Sequence, residues 1–145
     1  MARTMLIHAA MRSPIDTITA NYWPMTMDHA AWVYNNLPKQ DTGLSPNDLW
    51  SRSKYNPIQE TLERSHVWGA PTYVLEPKLQ KSGIKIPKWA PRSRRVAFMG
   101  FSPKHSTLVA LILNFRTHSI TPQYHVVFDD SFSSAHSSSK MAPKI

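Results

Sequence analysis

Apolar residues recur at helical spacing in the first third of the chain and at strand spacing beyond it. Met5, Leu6, Ala9 and Ala10 predict a helix over Ala2 to Ala10, which starts without a capping residue and is ended by Arg12-Ser13-Pro14. In Trp23-Pro24 the proline suits a first helical turn. Met27, Ala30, Ala31, Val33, Tyr34 and Leu37 then return every three or four residues until Pro38, the strongest helical period in the chain. Ser45-Pro46-Asn47-Asp48 announces a third, shorter helix running to about Ser53. There Ser45 can cap, Pro46 fits the first turn, and Asp48 can bond back while facing the positive helix end.

After Asn56-Pro57 the pattern changes to short apolar runs separated by Pro, Gly and Lys. The expected strands are His66 to Trp68, Thr72 to Leu75, Arg95 to Phe101, Thr107 to Asn114 and Ile120 to Phe128. In the last of these Ile120, Tyr124, Val126 and Phe128 share one parity. Five strands with no helical period between them predict a small antiparallel barrel. The fold class is therefore α+β: helices over residues 1–56, a barrel over 57–130, and a Ser-rich tail over 131–145 that is expected to be disordered.

Composition narrows the function. One hundred and forty-five residues suit about one domain. The absence of cysteine excludes disulfides, thiolate nucleophiles and zinc ribbons together. No apolar run approaches the roughly 20 residues of a membrane span, and Met1 to Met11 makes a poor secretory signal. The chain thus reads as soluble and intracellular, with no membrane partner. Seventeen Lys and Arg against nine Asp and Glu give a formal charge of +8 and a pI of about 10.0, which favours a polyanionic partner. That excess is localised. Residues 1–76 carry Arg3, Arg12, Lys39, Arg52, Lys54 and Arg64 against seven acids, whereas Pro77 to Phe128 carries Lys78, Lys81, Lys85, Lys88, Arg92, Arg94, Arg95, Lys104 and Arg116 against none.

Candidate chemistry is sparse. The seven histidines include no pair spaced for a helix and no His-Glu-x-x-His, so no protein-built metal site and no cofactor is expected. His66 and His125, flanked by apolar residues, read as hydrogen-bonded structural histidines, and His105 and His136 as loop or tail residues. Asp28 and Glu63 lie 35 positions apart, close to the last interval of the acidic triad of polynucleotidyl transferases. Asp28 is nonetheless placed where an acid favours a helix start, and both read as solvated or capping carboxylates. Asp129-Asp130 suits a turn. The four glycines are isolated, and no serine occupies a Gly-x-Ser-x-Gly elbow. What remains is the basic stretch, expected to contact nucleic acid through Lys78, Lys81, Lys85, Lys88, Arg92, Arg94, Arg95 and Lys104. Trp89, between Pro87 and Pro91, could stack on a base if exposed, but reads more readily as a core or seam residue.

Several segments resemble one family. Ser65-His66-Val67-Trp68-Gly69-Ala70-Pro71-Thr72-Tyr73-Val74-Leu75 is similar to the segment that opens the small barrel after the integrase core in copia-type retrotransposon polyproteins. Lys88-Trp89-Ala90-Pro91-Arg92-Ser93-Arg94-Arg95 with Phe98-Met99-Gly100-Phe101-Ser102 resembles that family's central motif. Thr117, Ile120 and Thr121-Pro122-Gln123-Tyr124-His125-Val126-Val127-Phe128-Asp129-Asp130 resemble its closing strand. Ala2-Arg3-Thr4-Met5-Leu6 and the Trp23 to Pro38 helix resemble the last helices of its catalytic core. His118 departs from the pattern, standing where the family has a turn glycine.

The resemblance implies the end of an RNase H-like integrase core followed by an SH3-like barrel, cut after the last catalytic acid. The implied chain is not an enzyme, since the family's catalytic Asp and Glu residues and its His/Cys zinc module lie upstream. Its implied role is sequence-independent DNA binding as an accessory to DNA integration, in the nucleus if functional. The alternative is a protein–protein module that docks other integrase domains or subunits through the apolar faces of the first two helices.

Overall fold

Each of the three predicted helices forms, and the reasons are local. We describe a computed structural model in which residues 1–12, 18, 20–51, 62–76, 79, 85, 87–105 and 109–134 are placed. Helix α1 spans Ala2–Arg12 and helix α2 spans Trp23–Asn36, with Pro24 in its first turn. Helix α3 spans Pro46–Ser51. Its predicted capping box is complete: Asp48 N–H donates to Ser45 Oγ at 3.2 Å, and Ser45 N–H and Oγ both donate to Asp48 Oδ2 at 2.8 Å.

Helix α2 buries only part of the face that its apolar period marks. Met27, Ala31, Tyr34 and Leu37 face solvent, and the buried side carries Thr26, His29, Ala30 and Asn36. Burial of those polar groups is tolerated because the helix satisfies most of them itself. Thr26 Oγ1 donates to the Tyr22 carbonyl at 3.0 Å and Asn36 Nδ2 to the Trp32 carbonyl at 2.8 Å, while Asn36 Oδ1 accepts from Asn47 Nδ2 of α3 at 3.1 Å.

The strands are β1 (Pro71–Leu75), β2 (Ser93–Phe101), β3 (Ala110–Leu113), β4 (Ile120–Gln123) and β5 (Val126–Phe128). They form one antiparallel sheet in the order β4-β3-β2-β1-β5. Two expectations are corrected. His66 to Trp68 is not a strand but the approach to a turn, closed by Ala70 N–H donating to the Val67 carbonyl at 3.1 Å. The single strand Ile120 to Phe128 is two, broken at the exposed pair Tyr124-His125, so that β4 pairs with β3 and β5 returns to β1. β4 and β5 do not pair with each other, and the sheet is open rather than a closed barrel. Gly100, at φ +109, lies where the β2–β3 register shifts between Phe98 and Phe101, a bulge that bends the sheet.

Both faces of β2 are covered, which explains its unbroken apolar run. Val96 and Phe98 pack with Val74, Ala110 and Ile112, flanked by Phe101, Val126 and Phe128. Ala97 and Met99 pack on the opposite face with Leu113, Trp68, Ile18 and Ala9 of α1. Residues from both sides of the expected boundary at residue 56 thus share one core, and the boundary itself lies outside the described residues. Closest approach is at Gly69, whose φ is +78 and whose missing side chain leaves room for Ala9 and Ile18. His118 adopts φ +53 in the β3–β4 turn, the left-handed conformation that a glycine would take without strain.

The start of the Ser-rich tail is folded, which corrects its expected disorder for residues 131–134; residues 135–145 lie outside the described ones. Asp129 gathers Ser131 Oγ at 2.7 Å, Ser133 Oγ at 3.1 Å, and Ser134 N–H and Oγ at 2.7 and 2.6 Å. The Ser134 hydroxyl foremost, then its N–H and the Ser131 hydroxyl, hold the Asp129 carboxyl well below the usual carboxylate range. This knot keeps Phe132 at φ +57 with its ring buried beside Ala70 and edge-on to His8 of α1.

Candidate nucleic-acid interface

Sheet register decides which basic residues meet. Leu75 of β1 is opposite Ser93 of β2, and Glu76 N–H donates to the Arg92 carbonyl at 2.9 Å, so the loop carrying Lys85, Lys88 and Trp89 leaves the sheet at the start of β2. Ala97 is opposite Leu113, so the β3–β4 turn with Arg116 comes back to that same end. Lys88, Trp89, Arg92, Arg94 and Arg116 therefore lie toward the same end of the sheet, as does Glu76. Among the described residues no carboxylate pairs with any of these four cations. Asp129 and Asp130 are held at the far end of β1, where Asp129 N–H donates to the Pro71 carbonyl at 2.9 Å and Asp130 Oδ1 accepts the Val67 N–H at 2.8 Å.

Two expected site residues stand apart. Lys104 follows the other end of β2, and the six residue steps from Arg95 to Phe101 alone span about 20 Å of strand. Arg95 points to the opposite sheet face from Arg94, as neighbours on a strand must. Its Nη1 donates to the Ser134 carbonyl at 3.3 Å, which ties it to the C-terminal knot. Lys78 and Lys81 lie outside the described residues. Arg94 is half-buried, and its Nε is buried with no partner among the described residues. Arg116, part of the basic stretch but not among its expected nucleic-acid contacts, is exposed in the β3–β4 turn, where its N–H donates to Asn114 Oδ1 at 2.9 Å.

Trp89 corrects the core expectation outright, being 88% exposed. Pro87 and Pro91 bracket it, Ala90 N–H closes the turn on the Pro87 carbonyl at 2.9 Å, and Lys88 Nζ stands over the indole, 5.5 Å from the ring centroid.

Histidine roles also shift. His66 Nδ1 meets Asp130 Oδ2 at 2.9 Å and its ring stacks on Phe128, a structural role, although not in a strand. His125 is exposed in the β4–β5 link, and His105 is bonded to Ser102 Oγ at 2.8 Å in the turn after β2. The buried histidine is His29, 3% exposed, lying between Trp32, Phe98 and Phe101. Burial lowers its pKa to about 4, partly offset by a hydrogen bond to the His66 backbone, and Nδ1 has no partner among the described residues. Among the described residues no group of three His, Cys, Asp or Glu could hold a metal ion, and no helix is long and apolar enough to cross a membrane.

No family model, curated protein or solved structure matches this chain.

Proposed function

We propose that this chain binds DNA, largely without regard to sequence, through the sheet end that carries Lys88, Trp89, Arg92, Arg94 and Arg116. The observation that carries the reading is the placement of these cations toward one sheet end, from a loop, a strand start and a hairpin turn, with no carboxylate paired to them among the described residues. Such groups hold phosphates by charge and release counterions on binding. In this reading the chain is a noncatalytic part of a copia-type integrase that assists DNA integration. The resemblance of the Ser65 to Asp130 motifs supports that identity. So does the return of β5 to β1, the strand order of a partly open SH3-like barrel. The α1 and α2 packing would then be the end of an RNase H-like core.

Fluorescence anisotropy with a labelled duplex at low salt tests the reading. Arg92→Ala with Arg116→Ala is expected to weaken binding at least about tenfold, while Lys104→Ala changes it less than about twofold. Equal losses from the two ends of β2 would contradict the assignment.

A second reading, a docking module for other integrase domains or subunits, is favoured by the uncovered apolar side of α2. Trp23, Met27, Tyr34 and Leu37 all face solvent there. The same titration separates the readings, because a docking module leaves DNA free at low salt.

A further inference from the structure

Trp89 is a large apolar ring held in water by a proline-bracketed turn, and its setting distinguishes it from the equally exposed Trp50. Trp50 stands on α3 beside the half-exposed Leu49 with Arg52 and Lys54 after it in sequence, but among the described residues no cation stands over its ring as Lys88 does over Trp89. Trp89 stands next to Lys88 and three residues before Arg92, among groups that attract phosphate rather than apolar partners. Its turn is fixed by two prolines and a backbone hydrogen bond, so presenting the indole costs little further ordering on binding.

We propose that Trp89 is a stacking platform for an unpaired base, and that the preferred ligand of this interface is DNA with single-stranded or frayed character rather than a closed duplex. This rests on the DNA-binding reading above and specifies its ligand. A base inside a duplex presents only its edges, because both faces are stacked. An indole that gains its energy from a π-face therefore selects bases that are free. The ring is positioned for this, since 88% of its surface is open while the neighbouring cations hold the strand's phosphates. Three residues reach at most about 10 Å, so Trp89 and Arg92 would engage one short stretch of the same strand. Stacking tolerates any base, in keeping with sequence-independent binding.

The test uses the full chain, Trp89→Ala and Trp89→Phe, and three probes: a single strand of about 20 nucleotides, a duplex with an unpaired overhang, and a duplex closed at both ends by hairpin loops with their bases linked out by a non-nucleotide spacer. Trp89→Ala is expected to lose about 5- to 150-fold on the single strand and the overhang, the equivalent of about 1–3 kcal/mol per stacked base, and less than about twofold on the closed duplex. Trp89→Phe should retain most of the affinity. Equal loss on all three probes would make the indole a support of the loop and overturn the proposal. No loss on any probe to which the wild-type chain binds would assign the ring to a protein contact and overturn it equally. Failure of the wild-type chain to bind any probe at low salt would remove the DNA-binding reading itself, a result distinct from the other two.

Discussion

Gly69→Ala is expected to destabilise the chain by about 2–4 kcal/mol, with loss of the packing between α1 and the sheet. Two effects add. The backbone at Gly69 is left-handed, at φ +78, which costs an L-residue about 1 kcal/mol. An added Cβ would also collide with the Ala9 side chain and come within 3.2 Å of Ile18 Cδ1, in a cluster where Ala9 is fully buried. Overpacking of that kind costs about 1–3 kcal/mol. Neither partner can retreat cheaply, because Gly69 is pinned by its N–H to the Phe98 carbonyl at 2.7 Å and Ala9 belongs to a helix. Urea denaturation should show the loss, and a thermal midpoint should fall by about 10 °C. Adding Ala9→Gly should recover the steric part while leaving the backbone part. If Gly69→Ala alone left stability unchanged, α1 would not be packed there.

Acid is expected to weaken the fold through His29. Its folded pKa of about 4 lies below the ordinary value of 6.5 because the ring is buried against Trp32, Phe98 and Phe101. Between those pH values the unfolded chain binds a proton that the folded chain refuses, so stability falls as pH drops from about 6.5 to about 4 and this contribution levels off below. The total is about 3 kcal/mol, on the order of 1.4 kcal/mol per pH unit over the interval. Asp129 acts in a different window. Its folded pKa is depressed, so the stability it contributes is present above the ordinary aspartate range and is lost as pH falls below that range. Denaturation midpoints at pH 7, 5.5 and 4 should therefore drop steadily in the wild-type chain. His29→Leu, less stable at pH 7 because the His66 backbone loses its partner, should show a much flatter profile down to pH 4. An unchanged slope in that variant would assign the acid sensitivity elsewhere.

The features legible in the sequence were those decided within a few residues. The Ser45/Asp48 capping box and the proline start of α2 each follow from local chemistry, and each is present. What depended on distant partners was not legible. Helix α2 carries apolar residues around most of its circumference, so its period could not say which side meets the sheet, and its buried Thr26 and Asn36 find partners only once the helix and α3 exist. An apolar run with suitable parity hid the break at Tyr124-His125, because continuous and split strands alternate alike until a partner is chosen. Nearness in sequence groups Lys104 with the other basic residues, whereas sheet register sets it at the far end of β2 and turns Arg116 toward the start of that strand. The exposure of Trp89 is illegible for a similar reason: bracketing prolines signal a turn but not which side of it is covered.

The salt dependence of DNA affinity tests the central claim most directly, because it counts phosphate contacts rather than any one contact's strength. With about four cations engaged, log affinity should fall against log salt with a slope of about −3 to −4, roughly a hundredfold loss between 50 and 200 mM. In the Arg92→Ala/Arg116→Ala chain that slope should flatten by about two, one for each phosphate contact removed. A wild-type affinity independent of salt, or a double variant with an unaltered slope, would contradict the account.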